Sequence, residues 1–165
     1  MALLTRKRLI LAKIESTYGT DSTPAGTEAI LVRNLEITPV QSDVVSRDLI
    51  RPYLGNYENL LANTRVEVSF EVELAGSGTA GTAPAWDAVI KSCGMSGTVV
   101  ADTSVTYAPV SSSFSSCTIY ANIDGVRHKI TGCRGSFSIT GEVGQIPVIQ
   151  FSMVGVFNAP DDSAA

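Results

Sequence analysis

The chain is short of the residues that usually carry chemistry. It has one histidine, His128, and three widely separated cysteines, Cys93, Cys117 and Cys133, with no Cys-x-x-Cys pair. Zinc lacks a ligand set at any familiar spacing, so no metal site and no cofactor are expected. The cysteines read as buried, reduced thiols of a cytoplasmically made protein. Charge is scarce too: 17% of residues, against roughly 25% in an ordinary soluble domain. Such a chain either exposes neutral, partly apolar surface or covers it with a partner. What charge there is sums to −4, which excludes the phosphate neutralisation that tight nucleic-acid binding needs. No apolar run approaches the ~20 residues of a membrane span. The basic start, Met1 to Arg8, is not followed by the apolar core and cleavage site of an export signal. The length, 165 residues, fits a single domain over 1–165 that folds without disulfides.

What is present is alternation. From Arg65 to Leu74, Val66, Val68, Phe70, Val72 and Leu74 take every second position, the pattern of a long half-buried strand. Asp124-Gly125 lies between two β-rich runs and predicts a two-residue hairpin turn. The register then pairs Ile123 with Val126, Ala121 with His128 and Ile119 with Ile130 on an apolar face. Asn122 with Arg127, Tyr120 with Lys129 and Thr118 with Thr131 form a polar one. Strands over Cys133–Glu142 and Ile146–Phe157 complete a four-stranded meander, joined by a turn at Glu142-Val-Gly-Gln145. Nearer the start, strands are predicted over Lys7–Ile14 and Glu28–Thr38. In the second the apolar phase slips near Arg33-Asn34, as a β-bulge would make it. One short helix is expected at about 84–93, from Pro84 in the first turn to Gly94 at the end.

These elements make a mainly β fold, a sandwich or barrel of antiparallel strands. The segment 39–64 fits none of the patterns and reads as a long inter-strand loop. It carries Leu49, Ile50, Tyr53, Leu54, Tyr57 and Leu60, too apolar for a loop that lies free in water. It is expected to dock on a neighbouring subunit. Residues 1–14 form an N-terminal strand or arm and 158–165 a flexible tail, both available for further contacts.

Catalysis has few candidates and none holds up. His128, the one possible base, falls on the apolar hairpin face and reads as a core or interface histidine. Gly76-Ser-Gly-Thr-Ala-Gly81 matches a dinucleotide-binding glycine pattern but lacks the surrounding βαβ unit, and reads as a linker. Glu67, Glu71 and Glu73 line the polar side of the long strand without a cleft or a matched partner, so no glycosidase pair is inferred.

Several stretches together resemble the major tail tube proteins of bacteriophages with long, non-contractile tails. They are Leu11-Ala-Lys-Ile-Glu-Ser-Thr-Tyr-Gly-Thr-Asp21, Arg51-Pro-Tyr-Leu-Gly55, Pro84-Ala-Trp-Asp-Ala88, Asp124-Gly-Val-Arg-His-Lys-Ile-Thr-Gly-Cys-Arg-Gly-Ser-Phe-Ser138, Gly144-Gln-Ile-Pro147 and Phe151-Ser-Met-Val-Gly155. The resemblance implies a non-enzymatic virion protein. Its copies would close hexameric rings through a shared inner barrel and stack into a tube around the tape measure protein. Tail terminator and distal tail proteins would sit at the ends, and double-stranded DNA would pass through without specific binding. On that reading Glu67, Glu71, Glu73, Ser138, Thr140, Gln150 and Ser152 are expected to face the lumen. The alternatives are the tube protein of a bacteriocin or secretion needle and, in another class, an all-β carbohydrate-binding module.

Overall fold

The computed structural model describes residues 7–47, 49–50, 52, 54–55 and 57–162. Among these, the strands are β1 (Arg8–Ile14), β2 (Ala29–Ile30), β3 (Arg33–Val45), β4 (Leu60–Glu73), β5 (Met95–Val100), β6 (Ser104–Pro109), β7 (Cys117–Ile123), β8 (Val126–Thr140), β9 (Val148–Phe157) and β10 (Asp161–Asp162). One helix, α1 (Asp87–Ser92), and a 3-10 turn at Gly26–Glu28 complete the elements. All pairings are antiparallel. The main sheet runs β2-β1-β7-β8-β9-β4-β3 with β10 beside β8, and β5-β6 forms a separate hairpin. The mainly β class expected from the alternation is what the chain adopts.

Both ends of the sheet contribute to one core. Ile10 of β1 and Ile119 of β7 cluster with Val68, Phe70, Phe151 and Met153 of β4 and β9, so the sheet curls over itself, with α1 closing the space through Val89 and Ile90. Phe151 sits between Phe70 and Phe137, with ring centroids 5.5 and 6.4 Å away. The alternation of Val66, Val68, Phe70 and Val72 is realised as burial on one face. Leu74 lies beyond the end of β4 and is partly exposed rather than inward.

Local chemistry accounts for the turns. Asp124 and Gly125 both have positive φ, 44° and 96°, as a turn matched to the strand twist requires. The expected pairs from Ile123–Val126 to Ile119–Ile130 all form. The next pair does not continue in step. The register slips by one residue to Cys117–Cys133, so Thr131 and Gly132 together face Thr118 in a bulge, with Gly132 at φ 62°. Because the strand passes through this bulge, Val126–Thr140 is one long strand. The C-terminal meander therefore has three members rather than four.

Other boundaries also differ from expectation. The run Glu28–Thr38 divides at Leu31-Val32, where the chain leaves its pairing with β1 and crosses to β4. The bulge near Arg33-Asn34 is present, and Asn34 has φ 50°. The helix is shorter than 84–93, because Pro84 accepts from Asp87 in a turn that precedes it. Most of all, 39–64 is not loop throughout. Asp43–Ala62, Val44–Leu61 and Val45–Leu60 pair as strand, which leaves 46–59 as the connection. Period-two reading misses this because register shifts at Thr38–Gln41 and Gln41–Asp43 break the phase. The hairpin β5–β6 had no sequence expectation.

At the termini, residues 8–14 lie inside the sheet, between β2 and β7, while 1–6 lie outside the described residues. The expected free tail is partly pinned. Asp161 and Asp162 pair with Arg127 and Val126, and Arg127 grips Asp161 through two hydrogen bonds. Residues 163–165 lie outside the described residues.

Candidate assembly surface

Four strand segments, 134–140 of β8 with β9, β4 and β3, form a panel with two unlike faces. Cross-strand register places Ser138, Gln150 and Glu71 in one row, Ser136, Ser152 and Ser69 in the next, and Thr140, Val148 and Glu73 in a third. Phe137, Phe151 and Phe70 occupy the row on the opposite face. Glu67, Glu71, Glu73, Ser138, Thr140, Gln150 and Ser152 lie on one face of the panel, the side away from the core. Glu73, Ser138, Thr140, Gln150 and Ser152 are exposed there, and Glu67 and Glu71 are half-buried.

The face is less acidic than the sequence suggests. Arg65 Nε donates to Glu67 at 3.1 Å, and Arg33 lies 3.4 Å from Glu71, which also accepts from Asn34 Nδ2 at 3.0 Å. Glu36, opposite Ser69, adds a carboxylate. With Asp43, 3.5 Å from Arg65, and Arg134, in the row of Val154 and Glu67, five carboxylates outnumber three guanidiniums. Contact with Glu67 first, and then Asp43, raises the Arg65 guanidinium above its ordinary value, so this cation stays charged.

Both outer margins of the panel lack a ladder partner among the described residues. β3 ends the sheet order, and β8 beyond Cys133 pairs only with β9, because β7 leaves at Cys117. Such margins are templates for another chain. The sequence did not reveal the second margin, since it depends on where β7 begins relative to the bulge.

Beyond the body of the sheet, the β3–β4 hairpin carries the connection 46–59. Ile50 and Leu54 are fully exposed, and Val44, Val45, Leu49, Leu60 and Leu61 largely so. Tyr57 is half-buried, with the Arg47 guanidinium 5.9 Å from its ring centroid. Tyr53, expected in the same set, lies outside the described residues.

At the β1–β7 end of the sheet the same outward face is covered. Thr118, Tyr120 and Asn122, the polar hairpin face, are buried beneath the segment that follows β1. Glu15 accepts hydrogen bonds from Ser116 and Thr118 hydroxyls at 2.6 and 2.9 Å and from the Gly132 and Gly19 amides at 2.7 and 2.9 Å. Asp21 accepts from the Tyr120 hydroxyl and lies 3.0 Å from Lys129. Sequence reading missed Glu15, a lone acid after an apolar strand; three of its four partners lie about a hundred residues or more away.

Among the described residues no group of three His, Cys, Asp or Glu side chains is placed to hold a metal. His128 is half-buried opposite Ala121, as the register predicts. Segment 76–81 is loop, and the Ser116 hydroxyl serves Glu15. No helix is long and apolar enough to cross a membrane, among the described residues. The three cysteines are free, and Cys117 and Cys133 are fully buried. Burial pushes the Cys93 thiol up to about 12, and a shared contact with Cys117 together with burial raises Cys133 well above its ordinary value. A disulfide-exchange thiol reagent at pH 8 should therefore label the folded protein at least ~100-fold more slowly than the protein in guanidinium, since the thiolate is the reactive form. Fast stoichiometric labelling of the folded chain would contradict this packing.

A mainly antiparallel chain that presents an exposed polar panel with two unpaired margins and an apolar hairpin tip has the features of a structural protein that meets other chains. Over residues 5–165 the sequence matches the family model for phage tail tube protein, and the chain belongs to that family. Its role is accordingly structural, within the tail of the virion. No curated protein matches the chain.

Proposed function

We propose that the chain is the major tube protein of a long, non-contractile tail, assembling as hexameric rings that stack into the conduit for the genome. The observation that carries this is the four-stranded panel with a polar face and two open margins. When the β3 margin of one copy pairs with the 134–140 margin of the next, the contact is head-to-tail, and repeating it closes a ring without leaving an edge. Six copies contribute about 24 strands. At ~4.8 Å spacing and ~40° tilt the circumference is about 150 Å and the backbone diameter about 48 Å, wide enough for a duplex once side chains are added.

The polar face then turns inward, with Glu67, Glu71, Glu73, Ser138, Thr140, Gln150 and Ser152 toward the lumen. A wall with more carboxylate than guanidinium repels phosphate within ~8 Å at physiological salt and offers DNA no counterion release. The tape measure protein would fill this lumen before ejection, and terminator and distal tail proteins would cap the stack.

Negative-stain electron microscopy of the purified protein tests the assembly; a protein that stays monomeric at high concentration would end the proposal. A second test concerns the wall. Substituting Lys at Glu67, Glu71 and Glu73 together should permit tubes but lower genome delivery by at least ~10-fold, because cations there bind phosphate. The Gln triple variant, which loses the same ion pairs without adding positive charge, should infect nearly normally. Equal infectivity of the two variants would remove the charge argument while leaving the tube.

A further inference from the structure

The slip at Gly132 brings two thiols face to face. Counted in step from the Asp124-Gly125 turn, Cys117 would oppose Gly132; with the extra residue in the bulge it opposes Cys133. Directly opposed residues on antiparallel strands have Cα atoms about 4.5–5.5 Å apart, and a disulfide spans about 4.4–6.8 Å. Both side chains belong to the core cluster, both are fully buried, and they touch each other. The Cys133 thiol also donates to the Ile130 carbonyl at 3.4 Å, a weak bond that is given up at little cost. Cys93, just past α1, has its sulfur 3.6 Å from Met153 Sδ, a thioether that cannot form a disulfide.

We propose that Cys117 and Cys133 are a redox modification site, joined by an intrachain disulfide once the protein meets hydrogen peroxide outside a reducing cytoplasm. The chain folds where thiols are kept reduced, and a virion leaves that compartment. The chemistry belongs to the single chain, whatever ring it enters. One thiolate attacks a peroxide oxygen; the O–O bond breaks, leaving a sulfenic acid and a hydroxide that takes up the thiol's proton as water. The facing thiol then attacks the sulfenic sulfur. The S–S bond forms, the S–O bond breaks, and a second water leaves. In sum the two sulfurs give up one electron pair, and one peroxide is reduced to water. Peroxide is small enough to enter by local opening, and Cys117 is the first residue of β7, where a ladder frays. Burial and the mutual contact raise the Cys133 thiol, so the reactive thiolate is scarce and the first step is slow. Slow oxidation spares the chain while it assembles and accumulates in a particle that persists. The bond ties β7 to β8 where β7 departs and the 134–140 margin begins, so it braces the base of that margin.

The test holds the folded full chain in hydrogen peroxide for days, counts its free thiols in guanidinium and locates any bond by mass spectrometry. Wild type should fall from three free thiols to one, with Cys117 joined to Cys133. Closing a loop of this length should raise the melting temperature by about 6–12 °C, and dithiothreitol should reverse the rise. Cys93→Ala should lose both of its remaining thiols to the same bond. Cys117→Ala should form no intrachain disulfide and show no rise. Circular dichroism checks that each variant folds, and the bond mapped in wild type decides the matter where a variant does not. A wild-type chain that keeps three thiols, carries sulfinic acid at Cys117 or Cys133, or makes its bond through Cys93 overturns the proposal.

Discussion

Excising residues 46–59 and joining Val45 to Leu60 through an Asn-Gly turn should leave a folded domain that no longer forms tubes. Val45 and Leu60 are a direct pair at the end of the ladder, so a two-residue hairpin turn fits without disturbing the register. The excised side chains contribute little to the body of the fold: Ile50 and Leu54 are fully exposed, and the Arg47–Tyr57 contact lies wholly within the excised segment. Shortening the loop from fourteen residues to two lowers its closure entropy by about 1.5 kcal/mol on a logarithmic scaling. The melting temperature should therefore hold or rise. Assembly, by contrast, loses the apolar segment proposed to dock on a neighbouring subunit, and sedimentation should show no tubes. Tubes that persist in electron micrographs would refute the docking role of this segment. A melting temperature that collapses would mean that the tip packs on its own domain.

Much of the fold was legible because it is written locally. Val66 to Val72 alternate without a break, and Asp124-Gly125 dictates its own turn and the five pairs beside it. The same local rule delivers the polar face of the panel, since once β4 is in phase its glutamates can only point away from Phe70. What was not legible depends on register slips and on distant partners. The bulge at Gly132 merges two expected strands into β8 and, by the same step, frees the 134–140 margin. Two slips between Thr38 and Asp43 conceal strand inside what reads as loop. The resemblance of residues 11–21 and 124–138 to a tube family needed no structure, but it could not say which margins are open.

The covered part of the sheet carries an acid-sensitive contact. Glu15 is nearly buried, and among the described residues no cation pairs with it. Burial alone would raise its carboxyl, but hydrogen bonds from Ser116, the Gly132 and Gly19 amides and Thr118 outweigh that and hold it below the ordinary value of 4.5. Asp21 shifts the same way, with burial overcome by Tyr120, the Thr23 amide and Lys129. Asp161 does so mainly through Arg127. A depressed carboxyl stabilises the fold fully above its unfolded value, and that stability is lost as pH falls through the folded one. Melting temperature should be level at neutral pH and decline below about pH 4.5. Glu15→Gln tests the source. Its amide group can accept at only one atom where the carboxylate accepts at two, so buried donors lose a partner, at a cost of about 2–4 kcal/mol. For a chain of this size that is a drop of about 6–12 °C at pH 7. The gap should narrow as pH falls below about 4.5, because the contribution of the depressed wild-type carboxyl is progressively lost there. Two melting curves that stay parallel down to pH 3 would show that the pin between the β1 exit and the β8 bulge owes nothing to its charge. The acid limb would then have to come from the Asp21 and Asp161 contacts.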